Sequence, residues 1–243
     1  MRLRALLPRE AALAVFVALS LAVAAGAADE RVVVIDPGHD ARSNPETEPT
    51  GPGSTERKIK DGGGTRGVVS GTSEAAVVLD VSRRLRRLLE QAGVRVVMTR
   101  TRTEGVSIGN VARARVANRA GADLFLRVHA DGSSAREARG SHTLHPALRA
   151  GWTDDIYAKS KRAGRLVQRS LVRALGSRDL GLDERPDLTG FNWANVPAIL
   201  VELGFLTNPV EDRLLNSPTY RQSAARGLCE GVLRYLRLST GCT

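Results

Sequence analysis

Aromatic residues, histidine and cysteine are all scarce in this chain of 243 residues. Aromatic side chains make up 4% of the sequence, so a core must be built mainly from aliphatic residues. Four histidines and two cysteines leave few candidates for a metal site that uses these ligands. The sequence contains no Gly-x-Ser-x-Gly elbow, no phosphate-binding loop and no His-Glu-x-x-His pair. The obvious serine hydrolase, nucleotide-binding and zincin assignments therefore lack support.

The N-terminus has the pattern of an export signal. Arg2, Arg4 and Arg9 precede an almost wholly apolar run from residue 11 to 25, and small residues then favour cleavage just before Ala28. We expect residues 1–27 to be a removed signal peptide, although an uncleaved membrane anchor is the alternative. The mature chain would then be secreted, or lie in the periplasm or cell-wall space, with no stable membrane span.

Basic residues outnumber acidic ones, and the formal net charge is +10. Residues 1–27 carry three arginines and one glutamate, or +2, so residues 28–243 retain +8. Such a charge favours an anionic partner. Nucleic acid is not expected, because the chain is predicted to be exported and no basic module rich in aromatics is visible. An anionic wall polymer or a membrane surface fits better, and an arginine-rich solvated face without a specific partner is an equal alternative.

The two cysteines, Cys229 and Cys242, lie near the C-terminus. In an exported protein they could form a disulfide. Cys229 also falls on an apolar helical stripe with Leu228 and Val232, which favours a buried thiol instead.

Short apolar runs alternate with amphipathic segments along the rest of the chain. Strands are predicted at 31–35, 94–99, 123–128, 141–144 and 196–201. Helices are predicted at 74–92, 111–120, 155–175 and 218–238. This alternation indicates one α/β domain, 28–243, with a mainly parallel sheet covered on both faces.

Residues 40–73 form a long polar segment rich in glycine, proline, serine and threonine. A stretch of this length inside a compact domain is usually functional or disordered. We expect either a lid or hairpin over the binding groove, or an idle loop. The stretch 146–185 is interpreted as one helix plus a loop.

Three ionisable residues follow or end predicted strands. His39 follows the first strand, His129 follows a middle one, and Glu202 follows the last one. Functional groups of open α/β sheets gather at the carboxyl ends of the strands, so these residues should converge. Two histidines at such positions favour a shared zinc site over two separate loop-stabilising residues.

Two carboxylates complete the set of candidates. Glu202 is embedded in an apolar run, which favours a general base or acid over a structural ion pair with an arginine. Glu74 begins a helix and lies on its core-facing stripe, where a metal could bind it. Position alone would favour a different interpretation of Glu74, as an acidic residue at a helix start capped by Thr72 or Ser73. His142 and His145 lie near the predicted strand 141–144, where either could orient the substrate, but a surface position is favoured for both.

Together these motifs resemble the zinc-dependent N-acetylmuramoyl-L-alanine amidases, the family that includes the septum-splitting cell-wall amidases. Four segments carry the likeness in the family's order: 33–39, Glu74 about 25 residues before 98–100, 117–130 and 196–208. The likeness covers essentially all of 31–238. The segment 40–73 departs from the pattern, because it is longer and richer in glycine than is usual.

The resemblance implies a twisted, mostly parallel sheet of about six strands with helices on both faces. It implies that His39, Glu74 and His129 bind one Zn²⁺ and that Glu202 is the catalytic glutamate. The substrate would be peptidoglycan or muropeptides, cut between N-acetylmuramic acid and L-alanine, as in an autolysin. Two alternatives stay open: another zinc peptidase acting on stem peptides, and a catalytically silent wall-binding protein of the same fold.

Overall fold

A computed structural model describes residues 30–105 and 108–242, and the predicted signal peptide lies outside these residues. The strands are β1 (Val32–Pro37), β2 (Asn44–Pro49), β3 (Arg57–Asp61), β4 (Arg95–Met98), β5 (Leu124–Asp131), β6 (Ser141–Pro146), β7 (Asp179–Arg185) and β8 (Ala198–Phe205). The helices are α1 (Glu74–Gln91), α2 (Asn110–Arg119), α3 (Tyr157–Leu175), α4 (Thr189–Asn192), α5 (Pro209–Leu215) and α6 (Pro218–Leu236). No helix in these ranges is both long and apolar enough to cross a bilayer.

Six strands form one sheet in the order β4-β1-β5-β8-β6-β7. The first four run parallel, β6 is antiparallel to β8, and β7 runs parallel to β6. The predicted α/β class and the mostly parallel sheet of about six strands are confirmed. The carboxyl ends of β1, β5 and β8 therefore meet at one edge of the sheet, next to the amino end of β6.

Helices cover both faces of this sheet, and alternate residues of each strand supply the two cores. Val33 and Ile35 of β1 pack with α1, α3 and α6, whereas Val34 packs with α2 and α4. The central strands are buried on both sides, which explains their continuous apolar sequences. The same alternation decides on which face of the sheet each polar side chain near a strand end lies.

The predicted secondary structure was incomplete in three places. In the segment 40–73, β2 and β3 pair as an antiparallel hairpin, which is one of the two forms expected for it. The region 146–185 contains β7 as well as a helix. Helix α5 lies between β8 and α6 and had no predicted counterpart. The missed strands are polar, so their pairing in the fold defines them rather than an apolar run.

Cys229 and Cys242 form a disulfide. The prediction of a buried thiol is therefore wrong about the chemistry, although Cys229 is fully buried in the core as its helical stripe indicates. The bond ties the residues after α6 back to the fourth turn of that helix. Disulfides persist mainly in oxidising compartments.

Candidate metal centre and catalytic carboxylate

The candidate site lies at the edge where β1, β5 and β8 end. His39 follows β1 after one intervening residue, and His129 is the third residue from the end of β5. His129 is paired in register with Glu202 of β8, which in turn is paired with His142 of β6. Residues paired in register point to the same face of a sheet, so these three side chains form one row. The predicted convergence of His39, His129 and Glu202 is thus an outcome of the sheet order.

His39, Glu74 and His129 come together in one cluster. One nitrogen or oxygen atom from each lies within 4.8 Å of the other two. Glu74 Oε1 is 3.0 Å from His129 Nδ1 and 3.5 Å from His39 Nε2. The two imidazole rings meet edge to face, with centroids 4.9 Å apart. Two imidazoles and a carboxylate at these separations suit a zinc ion with one open coordination position.

Glu74 is the first residue of α1, yet its carboxylate is directed into the cluster. Oε1 accepts a hydrogen bond from Ala130 N (3.2 Å), and Oε2 accepts one from Thr65 N (3.0 Å). Ser73 occupies the N-cap position without a side-chain hydrogen bond to the helix. Burial opposes ionisation of Glu74, but the His129 hydrogen bond and the charges of both histidines lower its pKa. Glu74 is therefore more than a helix-start carboxylate.

His39 is held by Asp61, a residue that the sequence analysis did not single out. His39 Nδ1 lies 2.7 Å from Asp61 Oδ1, which orients Nε2 towards Glu74. Burial opposes protonation of His39, but the Asp61 hydrogen bond and the charges of Glu74 and Asp61 raise its pKa. Asp61 is the last residue of β3, so the hairpin in segment 40–73 contributes directly to the site. No local pattern marks it, since 22 residues separate Asp61 from its partner.

The backbone around His39 is unusual in two ways. His39 has φ of +55°, in the left-handed region that non-glycine residues rarely occupy. Gly38 lies against the ring of His129, and a Cβ built there would be 2.4 Å from its nearest ring atom. Only glycine allows this approach without displacing His129. The geometry of this loop thus allows the side chains of His39 and His129 to lie next to each other.

Buried charges behind this loop hold it in place. Asp36, fully buried in β1, accepts hydrogen bonds from Arg113 Nη1 (2.6 Å) and Arg127 Nε (2.8 Å). Arg113 also donates to Pro37 O at 2.9 Å, and Arg100 donates to Pro37 O at 3.0 Å and Gly38 O at 2.7 Å. Burial would raise the pKa of Asp36, but the two arginines hold it far below its usual range. The loop that carries His39 is therefore held in place by arginine hydrogen bonds to its backbone carbonyl oxygens.

Glu202 is the candidate proton carrier of this site. Its Oε2 atom is buried and has no hydrogen-bond partner among the described residues. Burial, with the negative charges of Glu74 and Asp131, raises the pKa of Glu202 well above the usual range. A buried carboxyl oxygen without a partner is costly, so its retention points to a functional role.

The remaining two histidines are less exposed than expected. His145 is buried, with 2% of its surface accessible, and His142 is half-buried, so their predicted surface placement is wrong. His142 lies beside Glu202 in the row described above, and its Nδ1 atom is buried without a partner in the described part of the chain. Its position beside Glu202 follows from the antiparallel pairing of β6 with β8.

A pocket of about 100 Å³ adjoins the cluster and is bounded by both histidines and by the hairpin. Arg127 and Asn110 also line this pocket, as do Lys60 and Asp61 of the hairpin.

Burial lowers the pKa of His129 to about 4, and its Glu74 contact offsets only part of this effect. His129 is therefore neutral near pH 7, the form in which imidazole binds metals.

Comparison with known proteins identifies the family. Residues 33–234 match the family described as N-acetylmuramoyl-L-alanine amidase. The chain is 33% identical over 217 residues to N-acetylmuramoyl-L-alanine amidase Rv3717 of Mycobacterium tuberculosis, covering 84% of this chain and 86% of that protein. It is 27% identical to the amidase AmiA of Escherichia coli, covering 85% of this chain and 76% of that protein.

A solved structure supports the same assignment. The crystal structure of the amidase Ami1 from Mycobacterium smegmatis superposes with a TM-score of 0.77 and 28% identity. The match covers 85% of this chain and 97% of that one. The fold, the family match and the named relatives agree, and the chain therefore belongs to the N-acetylmuramoyl-L-alanine amidases, enzymes that act on cell-wall peptidoglycan.

Proposed function

We propose that this amidase uses one zinc ion, held by His39, Glu74 and His129, and that Glu202 transfers the protons of the reaction. The bond cleaved would be the amide between the lactyl group of N-acetylmuramic acid and L-alanine of the stem peptide. The observation that carries the proposal is the cluster itself: three zinc-type ligand atoms lie within 4.8 Å of one another, and the neighbouring Glu202 has a buried Oε2 atom without a hydrogen-bond partner among the described residues.

The donor set fits zinc better than a hard cation. Two imidazole nitrogens and one carboxylate oxygen are typical of catalytic zinc sites, whereas Mg²⁺ and Ca²⁺ prefer oxygen ligands throughout. The hydrogen bond of His39 to Asp61 is the kind of outer contact that orients a ligating imidazole. Zinc, when bound, would polarise the amide carbonyl and lower the pKa of water.

The residues of the chain supply the remaining steps. Glu202, as a carboxylate, would accept a proton from the attacking water and return it to the departing alanine nitrogen. Its raised pKa suits this double role, because a group that both accepts and returns a proton works best when its pKa is closer to the operating pH. Arg127 and Asn110 line the adjoining pocket, and their hydrogen bonds to Asp36, Glu48 and the Lys60 carbonyl hold them in place there.

Replacement of Glu202 by glutamine tests this assignment. Glu202→Gln should retain zinc but lose about 10²- to 10⁴-fold in turnover, because glutamine cannot carry the proton. His39→Ala and His129→Ala should instead reduce zinc content. Glu184→Gln, at a half-exposed carboxylate on β7, is the matched control and should behave as wild type. Turnover of Glu202→Gln within twofold of wild type would remove the assignment.

Product analysis separates this function from its alternatives. Mass spectrometry of muropeptides after incubation with the zinc-loaded mature protein should reveal a new amino terminus on L-alanine. A new terminus elsewhere in the stem peptide would indicate a zinc peptidase. Absence of any chelator-sensitive product would indicate a silent wall-binding protein.

Export is a second part of the proposal. The predicted signal sequence in residues 1–27 and the Cys229–Cys242 disulfide both suit an oxidising compartment outside the cytoplasm. N-terminal sequencing of the protein recovered from the cell envelope or medium should begin at Ala28. Recovery of the intact N-terminus in the membrane fraction would instead support an anchor.

A further inference from the structure

A second cleft lies at the opposite end of the sheet from the candidate metal centre. Its volume is about 450 Å³, and its walls include Arg31, Asp123 and Pro197. These residues directly precede β1, β5 and β8, whereas the candidate site lies where the same strands end. Six residues of β-strand separate Asp123 from His129, which places the two regions roughly 20 Å apart.

The cleft is strongly cationic. Arg31, Lys159, Arg162 and Arg237 line it, against the single acid Asp123. Both oxygens of Asp123 are already used, since Oδ1 accepts from Arg31 (2.9 Å) and Oδ2 accepts from Val32 N (2.8 Å). Within the described residues no acidic partner is present for the other three cations. These three positive charges therefore line the cleft without a carboxylate to neutralise them.

Local helix energetics do not account for these cations. A basic residue at a helix C-terminus is favourable, which explains Arg237 after α6. Lys159 lies in the first turn of α3, where the helix dipole disfavours positive charge, and Arg162 follows in the second turn. They are also three residues apart, on one helix face, where like charges repel. An anion bound in the cleft would relieve both costs.

The walls between the cations indicate what kind of anion fits. Tyr235 forms one side, with Arg162 5.2 Å from its ring centroid, and Leu236 and Ala122 add apolar surface. A small phosphate group attached to a polyol or sugar would match charged donors set among such walls. None of the large apolar side chains exposed in the described chain lines this cleft, so it lacks the residues that insert into a bilayer.

We propose that this cleft binds the phosphodiester groups of an anionic, phosphate-bearing polymer and so holds the enzyme on such a polymer. Because the cleft and the candidate metal centre face opposite ends of the sheet, both can be occupied at once. The proposal concerns a separate surface and does not depend on the zinc mechanism.

Two triple variants of equal charge test the proposal. Lys159→Gln, Arg162→Gln and Arg237→Gln together empty the cleft of its free cations. Arg87→Gln, Arg169→Gln and Arg226→Gln together remove the same charge from exposed helix positions outside the cleft. The probe is a fluorescent glycerol-phosphate oligomer of about ten units, measured by anisotropy near 0.1 M salt, where pairs beyond about 10 Å are screened.

The cleft variant should bind the oligomer at least tenfold more weakly than wild type, with a shallower dependence on salt. The control variant should stay within twofold. Equal weakening of both variants, or no binding by wild type, would overturn the proposal, as would binding of phosphatidylglycerol vesicles with none of the oligomer. Thermal unfolding confirms that each variant is folded. Hydrolysis of a small soluble muropeptide should be unchanged in both, which keeps this result distinct from that of Glu202→Gln.

Discussion

Replacement of Asp61 by asparagine measures how far the β2–β3 hairpin shapes the metal centre. Asp61 Oδ1 contacts His39 Nδ1 at 2.7 Å and accepts from Gly63 N at 2.8 Å, while Oδ2 accepts from Asp40 N at 2.7 Å. Asparagine keeps one acceptor oxygen and turns the other into a donor. At least one of the three contacts must therefore become unfavourable.

The size of the effect follows from the role of the contact. Removing an outer partner of a ligating histidine typically costs 10- to 100-fold in metal affinity, or about 1.4 to 2.7 kcal/mol. We expect Asp61→Asn to fall in this range. The loss should combine a less basic imidazole with a ring that is no longer fixed with Nε2 towards Glu74.

The assay is a zinc titration against a chromogenic chelator, with thermal unfolding of the metal-free protein alongside. Glu46→Gln is the matched control, because Glu46 pairs with Lys60 on the same hairpin but its side chain is 72% exposed. That variant should bind zinc as wild type does. Zinc affinity of Asp61→Asn within twofold of wild type, in a protein that stays folded, would refute the proposed role of Asp61.

Two further predictions concern stability. Asp36→Asn should cost about 3–5 kcal/mol at pH 7, because it leaves Arg113 and Arg127 buried without their shared carboxylate. Since burial is outweighed by the two arginines and the pKa of Asp36 is depressed, its stabilisation is present above about pH 4 and is lost as the pH falls further. Urea unfolding at pH 7 and pH 3 should therefore show a smaller acid effect in the variant, and an equal effect in both proteins would contradict this account. Cys242→Ser should cost about 3 kcal/mol by opening a loop with a sequence separation of 13, and reductant should then destabilise only the wild type.

The sequence was most informative where strands are buried on both faces. Val33 to Ile35 and the run leading to Glu202 are continuous and apolar, the run leading to His129 is interrupted only by Arg127, and each became a central strand. Their shared direction was enough to predict that the residues at their ends converge. Burial on both sides leaves few other conformations for such runs.

Edge strands and long-range contacts escaped this reasoning. β2, β3 and β7 have polar sequences and are defined by their partners, so no apolar pattern announced them. Asp61 acts on His39 only after the hairpin folds, and His142 reaches Glu202 only through an antiparallel pairing. Such contacts are properties of the assembled fold.

Folding of the β2–β3 hairpin and binding of zinc at the proposed site should also be thermodynamically coupled. Asp61 and Thr65 both belong to the segment between β1 and α1, and they contact two of the proposed ligands, His39 and Glu74. By linkage, whatever raises the population of the folded hairpin raises zinc affinity by the same factor that zinc raises the hairpin's population. Zinc should thus slow hydrogen exchange of the amides from 57 to 65 more than those of β4, at the far side of the sheet. A polymer strand or partner protein that clamps the hairpin would act on catalysis without touching the metal ligands.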